Sequence, residues 1–355
     1  MTVINDIYEQ IISIDNLKKA AFKASKDKRH RHAVQRFFAE NEEDKLLKDL
    51  HQSLKYKTFK VGEYTTFITY DPKEREIYKL PFYPDRIVQH AIINILQDYW
   101  YSLFRKNTFA CILKRGVLGE NGLYRYLTSA LRSDKKGTVY ALKQDIRHYY
   151  PSIRHDKIKE LLHGQIKDND ALWLLDMQID SVSTGEEDGV GITVGSILSQ
   201  YFANIYLTPF DYKMVKYPEV THYARYNDDK LFLSDNKDRL HSILEKEQQV
   251  LRKYGLKLKG NYQIFPVDKR GIDMGGFVFY HDHILMRKRI KYNLLRRINQ
   301  LVSLDVSIEE FKQGICGWLG YIKYSDSINF CKKNIPEKYL PCVEEYMYHK
   351  TSIAA

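Results

Sequence analysis

The sequence predicts a mixed α+β fold, and three observations carry that prediction. Short stretches of strand character and longer amphipathic stretches follow one another without strict strand–helix–strand alternation, which disfavours a parallel doubly wound sheet. Turn residues such as Asp71-Pro72-Lys73 and Asn227-Asp228-Asp229 sit between apolar stretches of strand length. Hydrophobic residues make up 44% of 355 positions, with no repeat or low-complexity linker, so the parts share one continuous core.

In order along the chain, residues 1–60 read as helical. Within them Lys23 to His32 concentrates positive charge ahead of an amphipathic segment, Ala33 to Leu50. That run is either a solvated turn or a clamp on phosphates. Residues 64–80 alternate as two strands around Asp71-Pro72-Lys73. Prolines 81 and 84 break the pattern, and Asp85 is placed to cap a helix ending near Leu103. A buried strand near Tyr140 leads into Asp145, with a helix from about Arg154. The acidic turn Ser183 to Gly189 precedes Gly191, Gly195 and a helix from Ile197 to about Leu207. After the hairpin at Asn227-Asp228-Asp229 come a helix from Leu240 to Tyr254, a strand pair between Gly260 and His283, and basic helices to the end.

Composition excludes several classes. The 28 Tyr, 16 Phe and 3 Trp rule out an intrinsically disordered chain. No apolar run approaches the roughly 18 residues that span a bilayer, and Met1 to Glu9 lacks a signal-peptide layout, so a soluble, intracellular protein without membrane partners is expected. Cys111, Cys316, Cys331 and Cys342 show no CxxC spacing, which predicts free buried thiols rather than a zinc or disulfide framework. Lys and Arg (56) exceed Asp and Glu (45) by eleven, and a folded basic surface attracts polyanions.

Two segments concentrate carboxylates. Val139 to Ile153 places Asp145 at the end of an apolar strand, where a buried carboxylate is costly unless paired or bound to a cation. Tyr223 to Ser234 places Asp228 and Asp229 at a hairpin tip. Adjacent strand residues point to opposite faces, so both face one way only if the turn redirects one. Asp-Asp pairs occur on solvated turns, but three carboxylates from two buried strands suit divalent metal, and Mg²⁺ favours such oxygen ligands together with phosphate. A pair of Mg²⁺ ions about 4 Å apart would serve phosphoryl or nucleotidyl transfer.

With these segments in view the chain resembles a reverse transcriptase from about Phe67 to Ser327, and most closely the prokaryotic diversity-generating retroelement enzymes and their defence-associated relatives. Arg225-Tyr-Asn-Asp-Asp229 resembles the family's Tyr-x-Asp-Asp motif, and Asp145 to Ile153 its first metal-binding motif. Gly191-Ile-Thr-Val-Gly-Ser-Ile-Leu-Ser-Gln200 is similar to its nucleotide-pocket motif, the Ser199-Gln200 ending being the diversity-generating variant. Asp71 to Arg75 and Pro84 to His90 resemble the fingers motifs. Gly275-Gly-Phe277 with Leu285 to Lys288 resembles the primer grip, and Gly317 to Lys323 the thumb.

The resemblance implies a right-hand polymerase fold: an N-terminal helical extension at 1–60, fingers at 61–135, a palm at 136–283 and a helical thumb at 284–350. It implies an RNA-directed DNA polymerase that makes cDNA with two Mg²⁺ ions held by Asp145, Asp228, Asp229 and the carbonyl of Ile146. Lys73, Arg75 and Arg86 would hold the dNTP triphosphate, although Arg86 could instead pair with Asp85. Tyr150 would be the gate against ribose. Val194 stands where high-fidelity relatives carry glutamine, and Gln200 would face the nucleotide pocket or pack in the core. Arg287, Lys288, Arg289, Lys291, Arg296 and Arg297 would track the template–primer backbone.

The implied partners are a noncoding or template-repeat RNA, the cDNA product, dNTPs and an accessory protein or second polymerase subunit, in a prokaryotic cytoplasm. Retrohoming and antiphage defence are both open. Thr193, Asn227 and Lys230 depart from the diversity-generating pattern. A silent RNA-binding scaffold, a template-independent nucleotidyl transferase and a two-metal phosphodiesterase are the competing functions. Fingers, palm and thumb use nearly all of the length, so RNase H or integrase functions are expected from partners.

Overall fold

The computed structural model describes residues 4–70 and 74–347. The chain opens with four helices, α1 (Tyr8–Ile12), α2 (Ile14–Ser25), α3 (His32–Glu40) and α4 (Lys45–Lys55). In α2 the buried Leu17, Ala20, Ala21 and Ala24 recur at helical spacing and pack on α5 (Ile87–Leu103). Strands β1 (Thr65–Thr69) and β2 (Arg75–Lys79) form an antiparallel hairpin, in register from Thr65 opposite Lys79 to Thr69 opposite Arg75. Asp85 does not cap α5. It is fully buried, and its carboxylate accepts the Gly62 backbone N–H at 2.8 Å, tying the approach to β1 to the start of the helix.

A four-stranded antiparallel sheet forms the centre, in the order β4 (His222–Tyr226), β5 (Asp229–Ser234), β3 (Tyr140–Asp145), β6 (Gln263–Pro266). Because strand side chains alternate, it has two distinct faces. Leu142, Tyr223 and Phe232 belong to the larger core, which includes α5, α7 (His155–His163), α8 (Asn169–Asp180), α9 (Ile197–Met214) and α10 (Lys237–Arg252). Ala141, Ala224, Leu231 and Leu233 share a second core with α6 (Leu123–Ser133), the short α11 (Val267–Arg270) and a separate three-stranded sheet. That sheet is β7 (Ile272–Met274), β8 (Phe277–Phe279) and β9 (Ile284–Met286). The strand pair expected between Gly260 and His283 is therefore divided: β6 completes the central sheet and the rest builds a new one. His281-Asp282-His283 is the β8–β9 turn, with Tyr280 N–H donating to the His283 carbonyl.

Helix α9 runs beyond Leu207 to Met214 despite Pro209, because burial of Phe210, Asp211 and Met214 outweighs the lost backbone bond. The last helices, α12 (Lys288–Ser303), α13 (Ile308–Lys323), α14 (Ile328–Asn334) and α15 (Pro341–Met347), close on a third core that includes Leu294, Ile298, Phe311 and Ile315. Ser307 and Glu310 form a reciprocal capping box at the start of α13. All four cysteines are free, but only Cys331 is buried, while Cys111 and Cys316 are exposed; spacing alone does not place a thiol relative to a core. No described helix is long and apolar enough to cross a membrane.

Candidate active site

Register brings the carboxylates together. Asp145, last residue of β3, lies directly opposite Asp229, first residue of β5, so both leave the sheet on the same face. Asn227 and Asp228 form the tight connection between β4 and β5. Asn227 adopts φ 58°, a left-handed conformation that Asn tolerates better than most residues. The turn takes Asp228 out of strand alternation, and its carboxyl shares a hydrogen bond with Asp145.

Three carboxylates in one place must be neutralised. Burial, reinforced by the hydrogen bond to Asp145 and the charges of Asp145 and Asp229, pushes Asp228 up to about 7. Burial also raises Asp145, but the Asp228 hydrogen bond and the Lys259 ammonium outweigh it and hold Asp145 below the ordinary carboxylate range. Lys259 forms an ion pair with Asp145 Oδ2, and its backbone N–H donates to the Asp145 carbonyl at 3.0 Å. Asp229 is raised, mainly by burial, with Lys143, Lys259 and Arg287 opposing the rise. Lys259 was not singled out from the sequence: nothing in Leu256-Lys-Leu-Lys259 distinguishes it from a solvated lysine.

The opposite face of the same strands is dry. Arg225, in the motif itself, is fully buried and bonds both Asp211 oxygens, at 2.8 and 3.0 Å through Nε and 2.7 Å through Nη2. Its Nη1 reaches Asn204 Oδ1 and the Asn227 carbonyl, both at 3.1 Å, so this pair also braces the Asn227–Asp228 turn. Asn204 is thereby committed to internal bonds, its amide donating to the Ala110 carbonyl at 3.0 Å. Lys230 and Glu247 are both fully buried, 3.4 Å apart, an ionic contact too long for a charge-assisted hydrogen bond. Burial lowers the lysine and raises Glu247 to about 7, each against the attraction of the other.

Around the carboxylates, the expected nucleotide-side residues divide. Tyr150 sits in the short turn after β3, within electrostatic reach of Asp228 and Arg75, and burial raises its phenol. The Val194 carbonyl accepts the Tyr78 N–H at 2.8 Å, docking the Gly191–Gly195 segment on β2. Gly195 has φ 114°, and a Cβ there would lie 2.8 Å from both Ile77 and the Tyr78 carbonyl, so only glycine permits that approach. Gln200 is exposed on α9, which removes its core-packing alternative. Arg86 makes no ion pair with Asp85; it lines a different cavity with Lys28 and Arg31. Lys73 lies outside the described residues.

Of the basic C-terminal run, Arg287 comes nearest the site. It pairs with Asp273, whose backbone carbonyl also receives Lys143, and its charge is felt at Asp229. Lys288, Arg289 and Arg296 are exposed on α12, and Lys291 lies over the Phe330 ring. Arg297 donates to the Gly314 carbonyl at 3.2 Å and to Gln300 at 2.8 Å, so it joins α12 to α13.

The donor chemistry suits a hard cation. All three side chains offer oxygen, Asp145 Oδ1 is buried without a partner, and the β-bridge between Ile146 and Leu258 leaves the Ile146 carbonyl outside its hydrogen bonds. Among the described residues no three His, Cys, Asp or Glu side chains are already arranged as a metal cluster, and Lys259 pairs with Asp145.

Comparison with known proteins follows the same residues. The family described as reverse transcriptase (RNA-dependent DNA polymerase) matches residues 72–261. An uncharacterized 91 kDa protein in the cob intron of Schizosaccharomyces pombe is 33% identical over 134 residues, which is 36% of this chain and 15% of that protein. The chain thus spans about 15% of the length of this relative. Among solved structures, apo telomerase from Candida tropicalis gives a TM-score of 0.49 at 14% identity, over 81% of this chain and 61% of that one. The same telomerase with a TWJ fragment of telomeric RNA gives 0.48 at 14% identity, over 85% and 62%.

Proposed function

Since the chain belongs to the reverse transcriptase family, with the α+β right-hand polymerase class that family implies, we propose that it is an RNA-directed DNA polymerase. The observation that carries this reading is the register of Asp145 opposite Asp229, with Asp228 turned in to meet them. Asp145, Asp228, Asp229 and the Ile146 carbonyl would hold two Mg²⁺ ions. When bound, such ions activate the primer 3′-hydroxyl and stabilise the departing pyrophosphate.

The chain's own residues do the rest. Arg225 and Asp211 hold the turn that presents Asp228. Lys259 must leave Asp145 as the site fills. Tyr150 stands beside the carboxylates as a ring that leaves no space for a ribose 2′-hydroxyl, which selects deoxynucleotides. Arg75, and Lys73 with it, receive the triphosphate through charge-assisted bonds. Val194 offers the base pair no hydrogen bond, which lowers fidelity; a Val194→Gln enzyme is expected to give a lower error rate when products are sequenced. Arg287 and the exposed cations of α12 contact the template–primer backbone, with fingers at 61–135, palm at 136–283 and thumb at 284–350.

The finer reading is a prokaryotic enzyme of the diversity-generating or defence-associated type, using a dedicated RNA template. Ser199-Gln200 supports the first, and Thr193, Asn227 and Lys230 favour the second. Sequencing RNA that co-purifies with the chain separates a template repeat from a structured noncoding RNA.

Primer extension on a defined RNA template, with Mg²⁺ and dNTPs, tests the activity. Extension should follow changes in template sequence and disappear in Asp228→Ala and Asp229→Ala. Untemplated addition would favour a terminal transferase, absence of synthesis by the native chain a binding scaffold, and extension surviving both substitutions would overturn the assignment.

A further inference from the structure

We propose that a cavity between α3 and the segment joining β2 to α5 is a second binding site, taking a phosphodiester stretch of single-stranded nucleic acid. The cavity measures about 450 Å³. Lys28, Arg31, Lys79 and Arg86 supply its cations, and Pro81 and Phe82 its apolar floor. Among the described residues none of these four side chains has a hydrogen bond or an ion pair with a carboxylate, although they share one cavity. Asp85 beside Arg86 is turned away to Gly62, and Asp27 is the one acid whose field reaches Lys28.

The cations feel one another. Burial and then Arg31 lower Arg86; burial, Arg86 and Arg31 lower Lys28. Nearby His90 is lowered to about 4 by burial and by Arg86, Lys28 and Lys23. Unrelieved positive charge of this kind is relieved by an anion. The first turn of α3, whose N-cap Arg31 makes no side-chain cap, lies against the same cavity and adds free backbone N–H groups.

Two features favour a polymer over a single phosphate. An apolar floor under a cationic rim fits a base and its phosphate together. The rim also continues outward through exposed Lys26, Arg29 and His30, giving a strip rather than a point. On this proposal the Lys23-to-His32 run is a clamp on phosphates and not a solvated turn, and Arg86 belongs to this strip and not to the triphosphate. The choice of nucleic acid as the polyanion rests on the polymerase reading.

Fluorescence anisotropy tests it on the full chain in EDTA, with matched labelled 20-nucleotide RNA and DNA single strands across a salt series. Lys28→Glu/Arg31→Glu should bind at least about tenfold more weakly. The milder Lys28→Gln/Arg31→Gln should lower the slope of log affinity against log salt by about 1.4, at roughly 0.7 per lost contact. The RNA and DNA arms show which strand the site holds. Unchanged affinity and slope in both variants, with native circular dichroism, overturns the proposal, as does AMP displacing the strand as well as an equal concentration of oligonucleotide. Single-nucleotide incorporation on a saturating preannealed primer–template should survive in both variants. A native chain that incorporates nothing instead refutes the polymerase reading, while one that incorporates and binds single strands independently of Lys28 and Arg31 refutes only this site.

Discussion

On one face of the central sheet Asp145 and Asp229 stand half-buried beside Lys259, Lys143 and Arg287; on the other, Arg225, Lys230 and Gln144 are sealed beneath α9 and α10. The residues alternate one by one along the same strands, so a shift of a single position would exchange the two sets. On the open face burial raises Asp228 and Lys259 pairs with Asp145, and a bound cation would have to displace both the proton and the lysine. On the sealed face Asp211 takes three contacts from Arg225 and one each from the buried Tyr223 and Thr108 hydroxyls. Like charges crowd the first face, and opposite charges fix position on the second.

Substitution on each face should break different quantities. Asp145→Asn is expected to cost at least about a thousandfold in primer extension, since metal-assisted stabilisation is worth several kcal/mol. Its unfolding midpoint in urea should change little, because loss of the Lys259 ion pair offsets the relief of crowding at Asp228 and Asp229. Arg225→Met should instead cost the fold about 3–5 kcal/mol, by leaving the buried Asp211 without an opposite charge. Asp211→Leu/Arg225→Met should recover only part of that loss in the same urea titration: the buried charge is gone, but the Tyr223 and Thr108 hydroxyls and the Asn204 amide oxygen lose their partners. Recovery of stability without recovery of extension would show that the Arg225 bond to the Asn227 carbonyl positions the turn.

Proton linkage sharpens the contrast. Unfolded Asp228 loses its proton near 3.8, whereas the folded chain keeps it until about 7. Between those values the folded state binds more protons, so this group's contribution to stability falls as pH rises through the window. Asp228→Asn should flatten that decline in metal-free urea titrations. Glu247, raised to about 7 on the sealed face, adds a decline of the same sign that survives the Asp228 substitution. Divalent metal must expel the Asp228 proton, so its calorimetric affinity should climb with pH up to about 7 and then level.

The sequence made the open face readable because its signals are local. Asp145 ends an apolar strand, and Asp228 and Asp229 sit at a turn. Mixed α+β architecture and the β1–β2 hairpin were legible for the same reason. What was not legible depends on distant pairing. Glu247 lies on α10, and nothing in its helix distinguishes it from a solvated acid until Lys230 is placed beneath it. Asp85 read as a cap because its neighbours are helical, but its partner Gly62 lies 23 residues back. The second sheet was missed because strands of three residues, as in β7 to β9, carry too little alternation to register.

The smallest expected effect tests whether the open face is as exchangeable as its chemistry suggests. Lys259 and Asp145 are each about a third or less exposed, 31% and 26% at the side chain, so their ion pair is partly screened. Such a pair contributes up to about 1 kcal/mol, and it must break when a cation takes the carboxylate. Lys259→Met removes that competition without removing a ligand. Binding of Mn²⁺ without nucleotide, followed by electron paramagnetic resonance, should therefore tighten by about two- to fivefold. Primer extension need not rise with it, because a lysine released beside the carboxylates is also placed to meet the incoming phosphates. An unchanged Mn²⁺ affinity would mean that the metal leaves the Lys259 contact intact, and that this face is more fixed than the comparison holds.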